Sequence, residues 1–218
     1  MAQTSNAISG SEGDKSEVGI DVNNLTLDQL ENSVIASYEK KKLEDALALL
    51  EVLLKRERSE LGVGYPSIAN TFDWLAVVSF DMGNYAQAAN YYLQELQHWS
   101  EYDPLNSQEI AEALEDLGHT YFYLEEFEKS ESYLSESLSK FESRSSDMAL
   151  KDRLRVLGKL SYLYKYQGFF GAALKKQEQI LNISRNLYGE SSLETAIAFR
   201  ELGYMHQMQA EYEKAKLM

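Results

Sequence analysis

The stretch Met82-Gly83-Asn84-Tyr85-Ala86-Gln87-Ala88 decides the fold. It runs glycine, polar residue, aromatic, two residues, small residue, which suits a tight corner between two antiparallel helices. Equivalent phrases stand at Leu43-Glu44-Asp45-Ala46, Phe127-Glu128-Lys129-Ser130, Phe170-Gly171-Ala172-Ala173 and Tyr212-Glu213-Lys214-Ala215. Their leading residues, Leu43, Tyr85, Phe127, Phe170 and Tyr212, follow at intervals of 42, 42, 43 and 42. A constant period of this length signals stacked supersecondary units sharing one elongated core, a solenoid.

Offsets from that series carry the packing code. Three residues downstream stand Ala46, Ala88, Ser130, Ala173 and Ala215, small enough to let the second helix of each hairpin approach the first. Nine upstream are Val34, Ala76, Gly118, Ser161 and Gly203, and ten upstream are Ser33, Leu75, Leu117, Leu160 and Leu202. Eleven downstream, Leu54, Leu96, Leu138 and Leu181 anchor the far end of each second helix. Small residues where helices cross, with large ones filling the layer beside them, are what ridge-into-groove packing requires.

Helices are therefore expected at about 27–40, 44–60, 67–82, 86–102, 107–124, 128–142, 149–167, 171–188 and 193–209, with a tenth starting near Glu213. Thr26 with Gln29 reads as a capping box and Leu25 with Leu30 as a hydrophobic staple. Asn106 with Glu109 offers another N-cap pair, Gly168 and Gly189 are helix stops, and both prolines, Pro66 and Pro104, fall between hairpins. Residues 1–25 contain few large apolar side chains and are expected to be a disordered tail. The tenth helix has only six or seven residues before Met218. The expectation is a natural chain that continues past Met218, or an end covered by a partner.

These residues resemble the tetratricopeptide (TPR) family: Leu75-Ala76, Gly83, Tyr85 and Ala88, with counterparts such as Leu117-Gly118 and Leu202-Gly203. The longer period and the loop Leu187-Tyr188-Gly189-Glu190-Ser191-Ser192 are similar to its kinesin-light-chain-like subgroup. The resemblance covers about residues 26–218, and the first repeat departs most, with Ser33 and Leu43 at consensus positions. It implies an all-α, right-handed α-solenoid of antiparallel helix pairs, about four and a half repeats, working as a protein-interaction module.

Composition narrows the chemistry. The 218 residues carry a formal net charge of −14 and no cysteine. That balance argues against a duplex nucleic-acid partner, which needs clustered cations, and excludes disulfides, thiolate catalysis and cysteine-based zinc sites. No apolar run is long enough to span a membrane and no secretory h-region opens the chain, so the expected location is cytoplasmic. The charge is uneven: residues 1–150 carry 10 Lys and Arg against 28 Asp and Glu, whereas residues 151–218 carry 11 against 7.

In the TPR family the first helix of each hairpin lines a concave groove. The resemblance puts the groove positions about fifteen, twelve, eight and five residues upstream of the leading series, one helical face. They read Asp28, Glu31, Ile35, Tyr38; then Asn70, Asp73, Val77, Phe80; then Glu112, Glu115, His119, Phe122. The last two repeats read Arg155, Gly158, Tyr162, Lys165 and Ile197, Arg200, Tyr204, Gln207. The expected partner is another protein or peptide with a basic segment, steered by the acidic half and gripped by the aromatics. The competing reading is a solvated helix face with half-buried rings. The family's chaperone-binding subtype clamps a carboxylate with Lys and Asn. The corresponding pairs here are Glu31 with Ile35, Asp73 with Val77 and Glu115 with His119, so that activity is excluded.

No catalytic residue, cofactor site or metal site is expected. His98, His119 and His206 share no ligand spacing; His206 is placed on the packed face of its helix, and His119 is a candidate pH sensor against the commoner reading of a surface histidine. Gly62-Val63-Gly64 has no preceding strand and reads as a turn. The sequon-like Asn24-Leu25-Thr26 and Asn182-Ile183-Ser184 are discounted. Two alternatives stand beside the interaction module: self-assembly into a homo-oligomer, and the interaction domain of a longer enzyme or regulator.

Overall fold

The computed structural model describes residues 22–105, 107–142 and 146–216. The chain forms helices α1 (Leu27–Glu39), α2 (Leu43–Glu60), α3 (Pro66–Asp81), α4 (Tyr85–Tyr102), α5 (Ser107–Tyr123), α6 (Phe127–Glu142), α7 (Asp147–Tyr166), α8 (Phe170–Tyr188) and α9 (Leu193–Lys216). There is no strand among the described residues. Each helix packs chiefly on its neighbours in sequence, and the most extensive pairings are α3/α4, α5/α6 and α7/α8. This is an all-α solenoid. None of these helices is long and apolar enough to cross a membrane.

The corners explain the period. At the second one, the Gly83 N–H donates to Phe80 O and the Asn84 N–H to Ser79 O, each at 2.9 Å. That is a Schellman pair, and it needs a left-handed residue just past the helix. The same pair recurs at Lys41 and Lys42, at Glu125 and Glu126, and at Gly168 and Phe169. The left-handed residues are Lys41 (φ 58°), Gly83 (80°), Glu125 (58°) and Gly168 (78°).

The fifth corner differs. Sequence places a turn before Tyr212, but α9 runs unbroken through it to Lys216. The residue equivalent to Gly83 is Ala210, the strongest helix former, with neither glycine's freedom nor a polar side chain to favour the left-handed region.

Buried Leu75, Leu117 and Leu160 form the repeated central layer, beside Ala46, Ala88, Ser130 and Ala173. Gly118 shows why small residues face them: a Cβ there would lie 2.8 Å from Leu134 Cγ and 3.0 Å from its backbone nitrogen. Gly203, at the same repeat position, has open space around it. The corresponding face of α9 is uncovered, so His206 is exposed instead of packed and Leu202 is only half-buried.

The capping box forms as read, with Thr26 Oγ1 accepting from the Gln29 N–H and Gln29 Oε1 from the Thr26 N–H. The tail reading meets a limit: residues 1–21 lie outside the described residues, but Val22 is buried against the first hairpin, in a 3-10 turn spanning Val22–Asn24. Asn106, read as an N-cap, also lies outside the described residues.

Candidate functional site

Helices α1, α3, α5, α7 and α9 carry the positions expected to line a groove. Their exposure varies along the row. Asp28, Glu31, Ile35, Asn70, Arg155, Tyr162, Ile197, Arg200, Tyr204 and Gln207 are exposed. Asp73, Val77, Phe80, Glu112, His119, Phe122, Gly158 and Lys165 are half-buried between neighbouring helices. Glu115 is buried, only 1% exposed.

Between α5 and α7 the charges are matched within the chain. Arg155 Nε donates to Glu115 Oε1 at 2.7 Å and Oε2 at 2.8 Å, and Lys159 Nζ reaches Oε1 at 2.7 Å. Arg155 Nη1 also bonds Asp152 Oδ1 at 3.1 Å, and Lys159 lies 3.5 Å from Asp116. The Glu115 contact raises the Arg155 pKa above its ordinary value. Glu115 is therefore consumed inside the solenoid and cannot steer a cation from solvent. Arg200 pairs with Glu201 at 2.8 Å, and Lys165 sits 4.9 Å over the Tyr162 ring.

Between α3 and α5 the balance is different. Asp73 is pushed up to about 7, first by burial and then by Asp116, Glu112 and Glu109. Behind it Glu95 on α4 is pushed up to about 9 by burial and by Asp73, although the Trp99 Nε1–H donates to it at 3.3 Å. Neither carboxyl forms an ion pair among the described residues. Gln108 donates to Glu112 at 2.7 Å, and burial again raises that carboxyl.

Aromatic rings connect the repeats. Tyr85 sits between Phe80 of its own hairpin (5.0 Å) and Tyr123 of the next (4.9 Å). Phe122 meets Tyr162 at 5.3 Å and Tyr166 at 5.2 Å. His119 stacks on Phe80 at 5.4 Å, and burial, helped by Lys159, lowers its pKa to about 4. It stays neutral through the physiological range, which removes the pH-sensor reading.

These side chains enclose a cavity of about 320 Å³. Its walls are the rings of His119, Phe122, Tyr123 and Tyr162, with Leu134 and Leu163 behind and Arg155 and Lys159 at one side. Two features keep it open. Gly158 has no Cβ, and one placed there would meet nothing within 4 Å. Ser130, fully buried on α6, lines it with an Oγ that has no hydrogen-bond partner. Sequence reasoning brought His119, Phe122, Arg155, Gly158 and Tyr162 to this site and missed Lys159, Tyr123 and Ser130. Lys159 was legible as a cation four residues after Arg155, facing the adjacent Glu115 and Asp116. Ser130 was read only as a small packing residue. No cluster of three or more potential metal ligands occurs among the described residues.

The family model described as tetratricopeptide repeat matches residues 67–143 and 152–218. Among solved structures, BtubC (BKLC) from P. vanneervenii is 22% identical, with a TM-score of 0.71 over 90% of this chain and 78% of that one. A putative kinesin light chain from Podosopora anserina with nearly identical TPR-like repeats is 16% identical, with a TM-score of 0.72 over 87% of this chain and 90% of its own. A Rap protein complexed with Competence and Sporulation Factor is 16% identical, with a TM-score of 0.60 over 91% of this chain and 57% of its own. At these identities the likeness is one of fold. No curated protein matches the sequence. With its family model covering most of the chain and its corners repeating one hydrogen-bond pattern, the chain belongs to the tetratricopeptide repeat family.

Proposed function

We propose that the chain is a non-catalytic protein-interaction scaffold whose groove takes a peptide or helical segment of another protein. The observation that carries this reading is the cavity between α5 and α7, aromatic-walled and about 320 Å³, with the unpartnered Ser130 Oγ at its base. Such a volume suits one large apolar side chain, whose burial is worth roughly 1.5–3 kcal/mol. Basic residues of the same segment would lie over Asp73, whose neighbouring charges are all carboxylates. The Rap likeness fits this reading, since that protein is seen with a bound factor.

The test is a displayed peptide library selected on this chain and re-measured on Gly158→Leu, which fills the cavity from an open position. Selected peptides should carry a large apolar residue, and Gly158→Leu should weaken them about tenfold or more at unchanged helicity. Equal binding to both proteins would sink the reading. Self-assembly is the second reading, favoured by exposed Ile197, Phe199 and Tyr204 on α9. Light scattering that shows a dilution-stable dimer, lost in Phe199→Glu with Tyr204→Glu, would support it.

A further inference from the structure

Arg58 and Arg185 occupy one repeat position, fifteen residues after Leu43 and Phe170. Each lays its guanidinium over a ring at the start of the next hairpin, Arg58 over Phe72 at 5.2 Å and Arg185 over Phe199 at 4.6 Å. The two sites then diverge at the loop residue twenty after the leading one. In the later repeat it is Glu190, which pairs with Arg185 at 2.9 Å and accepts from its Nη2 at 3.2 Å. In the first repeat it is Val63, and Arg58 makes no hydrogen bond or ion pair with any described residue. A guanidinium is a fork built for a carboxylate, and here the chain supplies the fork without the carboxylate.

A cavity of about 310 Å³ opens beside it, lined by Arg58, Val63, Ile68, Phe72, His98 and Tyr102 among others. Ile68 and Phe72 lie on the face of α3 opposite Asn70 and Val77, so this is not the groove. His98 is only 6% exposed, and its Nε2 lies 3.2 Å from Val63 O. A carbonyl only accepts, so Nε2 carries the proton. Burial lowers the pKa of His98 and keeps the ring neutral, which leaves Nδ1 as a lone-pair acceptor with no partner. Beside His98, at 4.9 Å between ring centroids, is Tyr102, whose ring packs where Gly64 has no side chain: a Cβ there would lie 2.8 Å from Cδ1. Val63 is 61% exposed, so the mouth is open. Glu101 also lines the cavity; its carboxylate accepts from Gln97 at 2.7 Å and forms no ion pair with Arg58.

We propose that this cavity, on the back of the solenoid, is a second binding site that takes one aspartate or glutamate residue of a partner polypeptide. Its carboxylate meets Arg58 as Glu190 meets Arg185, and the side-chain stem packs on Val63 and Tyr102.

The test is NMR titration of the full chain with N-acetylglutamate N-methylamide, with the glutamine analogue as the neutral control. The glutamate compound should give saturable shifts at the Arg58 Nε–H and the His98 ring, and the glutamine compound about tenfold weaker binding. Arg58→Gln, at an exposed position, should abolish the response with helicity intact. Val63→Glu restores the sister site's carboxylate and should also block the compound, moving the Arg58 Nε–H resonance by itself. Absent shifts, equal response to both compounds, or a response that survives Arg58→Gln would overturn the proposal. Gly158→Leu should leave these shifts unchanged, so this site and the groove stand or fall separately.

Discussion

Arg155 on α7 grips Glu115 on α5 through both carboxylate oxygens, at 2.7 and 2.8 Å, while Lys159 reaches the same carboxylate at 2.7 Å. The contact ties two helices that are not neighbours in sequence. Glu115 is buried and Arg155 is about half exposed, so the loss on breaking the pair falls mainly on the carboxylate side. Arg155→Gln should cost about 1–3 kcal/mol, the range for a buried charged group that loses a partner. Glu115→Gln should cost less, because its cations turn to Asp152, Asp116 and solvent. Urea denaturation of the two single variants and the double variant measures the coupling, and additive losses would contradict a direct interaction.

Gly118 and Gly203 share a repeat position but differ in surroundings. Gly118→Ala forces a Cβ against Leu134, including its backbone, and should destabilise by about 1–3 kcal/mol. Gly203→Ala enters open space within a helix and should stabilise by up to about 1 kcal/mol. Chemical denaturation of the pair should therefore give opposite signs.

Stability should fall as pH rises. Asp73 and Glu95 keep their protons to about 7 and about 9 in the folded chain, whereas unfolded carboxyls lose theirs near 4. Between those values the folded state binds more protons, so their contribution is complete below about pH 4 and drains away through the folded pKa values. Asp73→Asn should leave stability near pH 4 unchanged. At pH 8 it should raise Tm by roughly 2–8 °C, from a gain of about 1–2 kcal/mol. An equal effect at both pH values would show that the Asp73 charge is not the cause.

Glu125 holds a left-handed conformation (φ 58°) at a corner where Gly83 and Gly168 stand in the sister repeats. Glu125→Gly should stabilise by about 1 kcal/mol, since glycine removes the Cβ penalty. Gly83→Ala should cost a similar amount. Thermal melts at neutral pH would check both signs.

The fold was legible because its determinants are local and repeated. The corner phrases, the small residues at Ala88 and Gly118 and the leucine layer at Leu75, Leu117 and Leu160 act within one or two hairpins, so a period of about 42 residues exposed them. The capping box at Thr26 was equally local. Misreadings arose where a neighbour was missing: His206 and Tyr212 were read from the repeat pattern, but α9 has one face uncovered and Ala210 gives no reason to turn.

The face proposed as a groove was legible as a row of positions, not as a chemistry. The sequence by itself determined that α5 presents Glu112, Glu115, His119 and Phe122 on one face. Only the tertiary structure decided that Glu115 is neutralised by Arg155 and Lys159, that His119 is held neutral, and that Gly158 and Ser130 leave a cavity between rings. The same holds for Arg58: the sequence aligns Val63 with Glu190, but only the structure shows Glu190 paired with Arg185 and Arg58 with no such pair. The physical reason is distance along the chain. Charge state, burial and cavity shape depend on helices about forty residues apart in sequence, and their spacing is set by packing that no single helix encodes.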